Sequence, residues 1–218
     1  MPRTADDILR FWFADSLAAD TTLESHERRW FQGDKALDLA IARHFGADLE
    51  CAGRGELDHW AHTAHGRLAL IILLDQFPRN AFRGRPKAYA FDARAATLCH
   101  EGIAANADRG LAPIEQLFFT LPLLHSERLS DQRQSVERFK HLLARAPRHQ
   151  RRYFAAWLGL ARRHRAVIRL FGRFPHRNGI IGRQSTGAER AFLTLSIARA
   201  GAARGLRRLR ASLLGRLS

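Results

Sequence analysis

The chain reads as an all-α protein, an irregular array of antiparallel helix pairs with about 8–10 helices. Three observations predict this. Apolar residues recur at spacings of three and four, as in Tyr153, Trp157, Leu160, His164, Ile168 and Phe171, the period of a helix with one buried face. No segment shows the clean alternation of a half-buried strand. The segments read as helices of roughly ten to twenty-odd residues joined by short turns, which suits stacked antiparallel pairs.

Thr4 and Asp7 form a capping pair, and Asp6 and Asp7 complement the helix dipole ahead of Ile8 to Phe13. After a polar loop holding Asp20, Thr21 and Thr22, the spacing of Trp30, Leu37, Ile41 and Phe45 predicts a helical face closed by Gly46 or Gly53. Leu57 and Trp60 begin a brief helical segment, and Thr63 caps a central helix. Its core, Leu68 to Leu74, is apolar on every side. That run is far shorter than the about twenty residues a bilayer requires, so it predicts a helix at the centre of a soluble core. Pro78 has no amide hydrogen and restricts its predecessor, so this helix is expected to stop around Gln76 or Phe77. The polar run Asp75 to Gly84 would then emerge at the rim of the core.

Pro86 suits a first helical position, and Ala88 to Ala105 follows with Phe91, Leu98 and Ile103 as its apolar marks. Gly110 breaks the chain, Pro113 opens the next helix through Phe118, Phe119 and Leu121, and Pro122 limits it. Ser130 or Asp131 caps a helix whose Val136, Phe139, Leu142 and Leu143 share one stripe, ended by Pro147. The face starting at Tyr153 runs to Gly172. Thr186-Gly187-Ala188-Glu189 has the form of a capping box and opens the last helix. Residues 1–193 are expected to form a single helical domain. Residues 194–218 form a basic amphipathic tail with Leu206, Leu209, Leu213 and Leu217 on one face. It either packs its leucines on the domain or lies on anionic membrane or nucleic-acid phosphate.

Thirty-six basic against twenty-one acidic residues give a net charge of +15, nearly all arginine, since Lys35, Lys87 and Lys140 are the lysines. Such a charge attracts nucleic acid, anionic membrane or acidic metabolites. A genome biased toward Arg, Ala and Gly codons would produce it equally well. Cys51 and Cys99 have no disulfide or metal spacing and are expected to stay reduced. The N-terminus lacks an apolar stretch of signal-peptide length, so the expected location is cytoplasmic.

Three polar segments carry the candidate chemistry: Asp75, Gln76, Arg79, Asn80 and Arg83; then His125, Ser126 and Glu127; then Arg173, His176, Arg177, Asn178 and Arg183. Arginine forks bind carboxylate or phosphate through two parallel hydrogen bonds, so an anionic small molecule or peptide carboxylate is the expected ligand if these segments converge. Arg183 would also approach the free amides of the last helix. For catalysis, His125 and His176 are the general acid/base candidates, with Glu127 or Asp75 orienting or charging the imidazole. No phosphate-cradling glycine loop or His-Glu-x-x-His spacing is present, and no cofactor or metal is implied. The competing reading is a purely structural network in a scaffold for a protein partner, in which these side chains satisfy helix ends and Asp75 neutralises Arg79 or Arg177.

Several of these segments also carry a resemblance. LDQFPRNAFRG, LPLLHSE with Asp131-Gln132 shortly after, and FGRFPHRNGIIGRQST with Glu189, together with Phe11-Trp12-Phe13, resemble the bacterial domain-of-unknown-function 924 family over residues 6–193. The resemblance implies an all-helical, tetratricopeptide-like fold and supplies no activity. The chain departs from the family pattern at Ala14, where glycine is expected, at Leu124, where an acidic residue usually precedes His-Ser-Glu, and in its basic tail.

Overall fold

A computed structural model describes residues 3–14, 16, 23–31, 33–196 and 198. These fall into two compact units divided after Gly172. The expected tail, apart from 194–196 and 198, lies outside the described residues.

The first unit contains α1 (Ala5–Phe13), α2 (Leu23–Phe31), α3 (Lys35–Arg54), α4 (Ala64–Ile71), α5 (Phe77–Ala81), α6 (Asp92–Ala104), α7 (Pro113–His125), α8 (Leu129–Arg145) and α9 (Arg151–Phe171). No strand occurs among the described residues. Asp7 begins α1 as expected, accepting from both the amide and the hydroxyl of Thr4. The face expected from Trp30 to Phe45 is split between two helices. Asp34 accepts from the amides of Ala36 and Leu37 at 2.8 and 3.3 Å and starts α3 afresh, leaving Trp30 on α2. Neither Gly46 nor Gly53 ends α3, which continues to Arg54.

Thr63 caps α4 through its hydroxyl, 3.0 Å from the Gly66 amide. The cap requires glycine there, because a Cβ at residue 66 would lie 2.1 Å from the Trp60 carbonyl oxygen.

The central helix does not stop before Pro78. It passes through a π-helical turn, Ile72–Gln76, straight into α5. The Phe77 amide donates to the Ile72 carbonyl five residues back, which widens the ladder just where proline supplies no donor and its ring would crowd a carbonyl. Pro122 likewise lies inside α7 instead of limiting it. A proline inside a helix costs about 3 kcal/mol, whereas each fully buried Leu or Phe contributes about 1.5–3 kcal/mol. Leu117, Phe118, Phe119, Leu121 and Leu123 are all fully buried, so packing wins.

Consecutive helices joined by short turns pack on one another, α7 with α8 and α8 with α9, while α4 touches α1, α6 and α7. Phe118 centres the core, edge-on to Trp12, Phe13 and Trp30 at 5.5, 5.4 and 5.0 Å between ring centroids, the geometry aromatic quadrupoles favour. Gly172, at φ +70, ends α9.

In the second unit a 3-10 turn, Pro175–Arg177, leads through a loop to α10, helical over residues 187–196. The capping box forms as expected: the Thr186 amide donates to Glu189 at 2.7 Å and the Glu189 amide to the Thr186 hydroxyl at 3.2 Å. Among the described residues no helix is long and apolar enough to cross a membrane.

Candidate functional site

The π-turn places Asp75 and Gln76 on the helix itself, packed among α3, α6 and α7, instead of on a loop at the rim. Asp75 is fully buried, and a buried carboxylate needs partners for its charge and lone pairs. His125, the last residue of α7, supplies the main one: its Nδ1 lies 2.8 Å from Oδ1 and 3.0 Å from Oδ2. Gln76 donates to Oδ2, and Arg79 lies 3.2 Å from Oδ1. Arg79 is itself clamped by both oxygens of Asp92 at 2.9 and 3.0 Å, donates to the Asp75 carbonyl at 2.6 Å, and lies over the Tyr89 ring.

Burial pushes the Asp75 carboxyl up, but the Arg79 guanidinium, His125 and Gln76 overcome it and hold the group below the ordinary carboxylate range. Burial, reinforced by the Arg79 charge, lowers His125 below its ordinary 6.5 despite the pull of Asp75. His125 is therefore neutral at pH 7. A carboxylate only accepts, so Nδ1 carries the proton and Nε2 the basic lone pair. Two carboxylates and one guanidinium leave the cluster of Asp75, Asp92, Arg79 and neutral His125 with one net negative charge.

Ser126 belongs to a neighbouring cluster. Its hydroxyl donates to Asp131 at 2.7 Å, and His100 Nε2 lies 3.2 Å from the other Asp131 oxygen. Neither Ser130 nor Asp131 caps α8; Asp131 is turned toward Ser126 and His100 instead. Gln132 Nε2 donates to the carbonyls of Leu123, Leu124 and Ser126, and His164 Nδ1 lies 3.2 Å from the Leu124 carbonyl. The end of α7 is thus capped from α8 and α9, which steadies His125. Glu127 is half-buried beside this end.

The remaining polar residues of the first segment, Asn80 and Arg83, share one carboxylate. Asn80 donates to Asp38 at 2.9 Å, and Arg83 grips the same carboxylate with two bonds of 2.8 and 2.9 Å. In the second unit, Arg173 clamps Glu189 at 2.7 and 2.9 Å, holding its carboxyl well below the ordinary range together with the Thr186 amide. Arg183 donates to Asn178 Oδ1 and the Phe174 carbonyl, and Asn178 donates to Ser185. Arg177 lies over the Phe174 ring, and His176 is exposed. At the start of the last helix, where an anion was expected near Arg183, the Thr186 amide is taken by Glu189.

The first two polar segments therefore meet through Asp75 and His125, while the third belongs to the second unit. Sequence reading missed Asp92, Tyr89, Asp38, His100 and Asp131 as partners. Their only signal was that arginines leaving an apolar helix need carboxylates. Among the described residues no three His, Cys, Asp or Glu side chains gather to hold a metal.

Fold and site together define an all-α protein with a buried carboxylate-histidine pair where a π-turn meets the end of a neighbouring helix. The chain belongs to the family described as bacterial protein of unknown function (DUF924), which it matches over residues 8–196. It is similar to the solved structure of the protein of unknown function ATU0120 from Agrobacterium tumefaciens, with 35% identity and a TM-score of 0.72, covering 87% of this chain and 96% of that one. No curated protein matches it.

Proposed function

We propose that His125 and Asp75 form a proton-transfer centre, and that the chain is an enzyme using His125 as general base and acid on a small molecule. One observation carries the reading: a carboxylate with no exposure bonds through both oxygens to the Nδ1 of an imidazole that keeps 18% of its side chain exposed. Such a carboxylate fixes the ring and its tautomer, and a base so placed contributes about 10²–10⁴ in rate. The π-turn that carries Asp75 adds support, since such turns are frequent at functional sites. The net charge of +15 would draw an anionic substrate toward the protein, although the centre itself is not positive. The two free thiols suit action in the cytoplasm.

A second reading is favoured by the filled arginine forks. Arg79, Arg83 and Arg173 each hold a carboxylate of the same chain, as expected of structural braces in a tetratricopeptide-like scaffold for a peptide or protein partner.

Carbethoxylation of the folded protein with diethyl pyrocarbonate, followed by peptide mapping across a pH series, separates the two. The enzyme reading expects His125 to react in the native state, with an apparent pKa below 6.5, and to react more slowly in Asp75→Asn. Protection of His125 until the chain unfolds would leave only the brace.

A further inference from the structure

A cavity on the first unit is lined by none of the candidate site residues that the sequence suggests. It has a volume of about 410 Å³ and is lined by the end of α6, the following turn, the start of α7 and one face of α8, within the range of small-molecule sites. Asn106 adopts φ +55, a left-handed conformation that asparagine tolerates better than most residues. The turn it makes carries Asp108 and Arg109 to the cavity wall. Across from them, Arg138, His141, Leu142 and Arg145 line the cavity from α8, at helical spacings of three, four and seven that place them on one face.

The charges are unbalanced. Arg138 is committed: it pairs with the buried Asp108 and donates to the Thr120 hydroxyl at 3.2 Å. Arg109 and Arg145 are exposed and, among the described residues, have no ion pair. Three guanidiniums against one carboxylate leave two positive charges around one concavity whose walls include Ile103 and the buried Leu111 and Leu142. This differs from the arginines around Asp75 and Glu189, whose forks are already filled.

We propose that this cavity binds a small organic anion, with a phosphate or carboxylate head held by Arg109 and Arg145 and an apolar body lying against Ile103, Leu111 and Leu142. The Arg138–Asp108 pair forms the fixed wall that keeps the cavity open and sets the register of α8 against the turn. The proposal is independent of the role of His125.

Thermal shift and titration calorimetry of the full chain test it, with phenyl phosphate, benzoate, inorganic phosphate and benzyl alcohol as probes. Phenyl phosphate or benzoate is expected to bind more tightly than inorganic phosphate, because only the former have a body for the apolar wall, and benzyl alcohol is expected to give no shift. Arg109→Ala and Arg145→Ala should each weaken binding of the organic anion by about tenfold, the loss of a charge-assisted hydrogen bond. Both sites are exposed and unpaired, so each variant should melt as the native chain does without ligand. Arg162→Ala, an exposed arginine on α9, removes the same charge elsewhere and should leave binding unchanged. No shift with any anion, an equal loss in Arg162→Ala, or full binding in the Arg109→Ala/Arg145→Ala double variant would each overturn the proposal. Preference for phosphate or for carboxylate tells the two head groups apart.

Discussion

Asp75 and His125 are fifty residues apart in sequence, yet the imidazole Nδ1 lies 2.8 and 3.0 Å from the two oxygens of a carboxylate with no solvent exposure. The pairing needs two irregularities at once. The π-turn swings Asp75 toward α7, and α7 runs through Pro122 to bring its last residue to the carboxylate.

Replacing Asp75 with Asn removes a buried charge on which Arg79 and His125 both depend. The expected loss of stability is about 3 kcal/mol, the lower end for breaking a buried pair, because Arg79 keeps Asp92. Urea unfolding at pH 7 measures it. A loss below the cost of an ordinary surface change would mean that Asp75 is not the anchor of this network.

The pH dependence of stability follows from the lowered pKa of His125. Below 6.5 the unfolded chain takes up a proton that the folded chain refuses, so stability falls as pH drops from 6.5 toward the folded pKa, then levels. His125→Gln should flatten this part of the profile relative to the native chain. The lowered Asp75 acts in the same direction at lower pH: its contribution is complete above 3.8 and is lost as pH falls through the folded value. Parallel profiles of the two proteins between pH 5 and 7 would contradict the assignment of neutral His125.

Ala14 ends α1 at φ +47 and ψ −122, a conformation that costs an L residue about 1–2 kcal/mol and glycine little. Glycine is the residue that the family resemblance leads one to expect at this position. Ala14→Gly is therefore expected to stabilise the chain by about 1 kcal/mol, roughly 2–4 °C in Tm for a chain of this size, and differential scanning calorimetry would register it.

Two further glycines should respond in opposite directions. At Gly66 a Cβ meets the Trp60 carbonyl at 2.1 Å, backbone that cannot yield without disturbing the Thr63 cap, so Gly66→Ala should cost about 1–3 kcal/mol. Gly46 lies inside α3 with nothing within 4 Å, so Gly46→Ala should stabilise by about 0.5–1 kcal/mol. Equal effects at the two sites would show that helix propensity, and not the close approach, governs Gly66.

Local signals in the sequence were decisive wherever a few neighbouring residues set the outcome. Thr4 with Asp7, Thr63 before the apolar run, Pro113, Gly172 and the Thr186–Glu189 box each act within one turn of helix, and each lies where the spacing indicates. The same is true of the all-α class, since helical period is a property of short windows. Pro78 and Pro122 misled the reading for the complementary reason. Their local preference to end a helix is worth a few kcal/mol, and the burial of Leu68 to Leu74 and of Phe118 to Leu124 outweighs it only once distant helices are in place.

The candidate site divides along the same line. Sequence alone picked out Asp75 and His125 as polar residues at the ends of buried helices, and determined that arginines cluster beside them. It could not decide which carboxylate each arginine holds, because Arg79 with Asp92, Arg83 with Asp38 and Arg173 with Glu189 are choices made by packing. The cavity walled by Arg109 and Arg145 had no local signature at all. Its positive charge is a sum over α8 and the turn after α6, and only the tertiary structure brings those charges to one surface while leaving two of them without a carboxylate among the described residues.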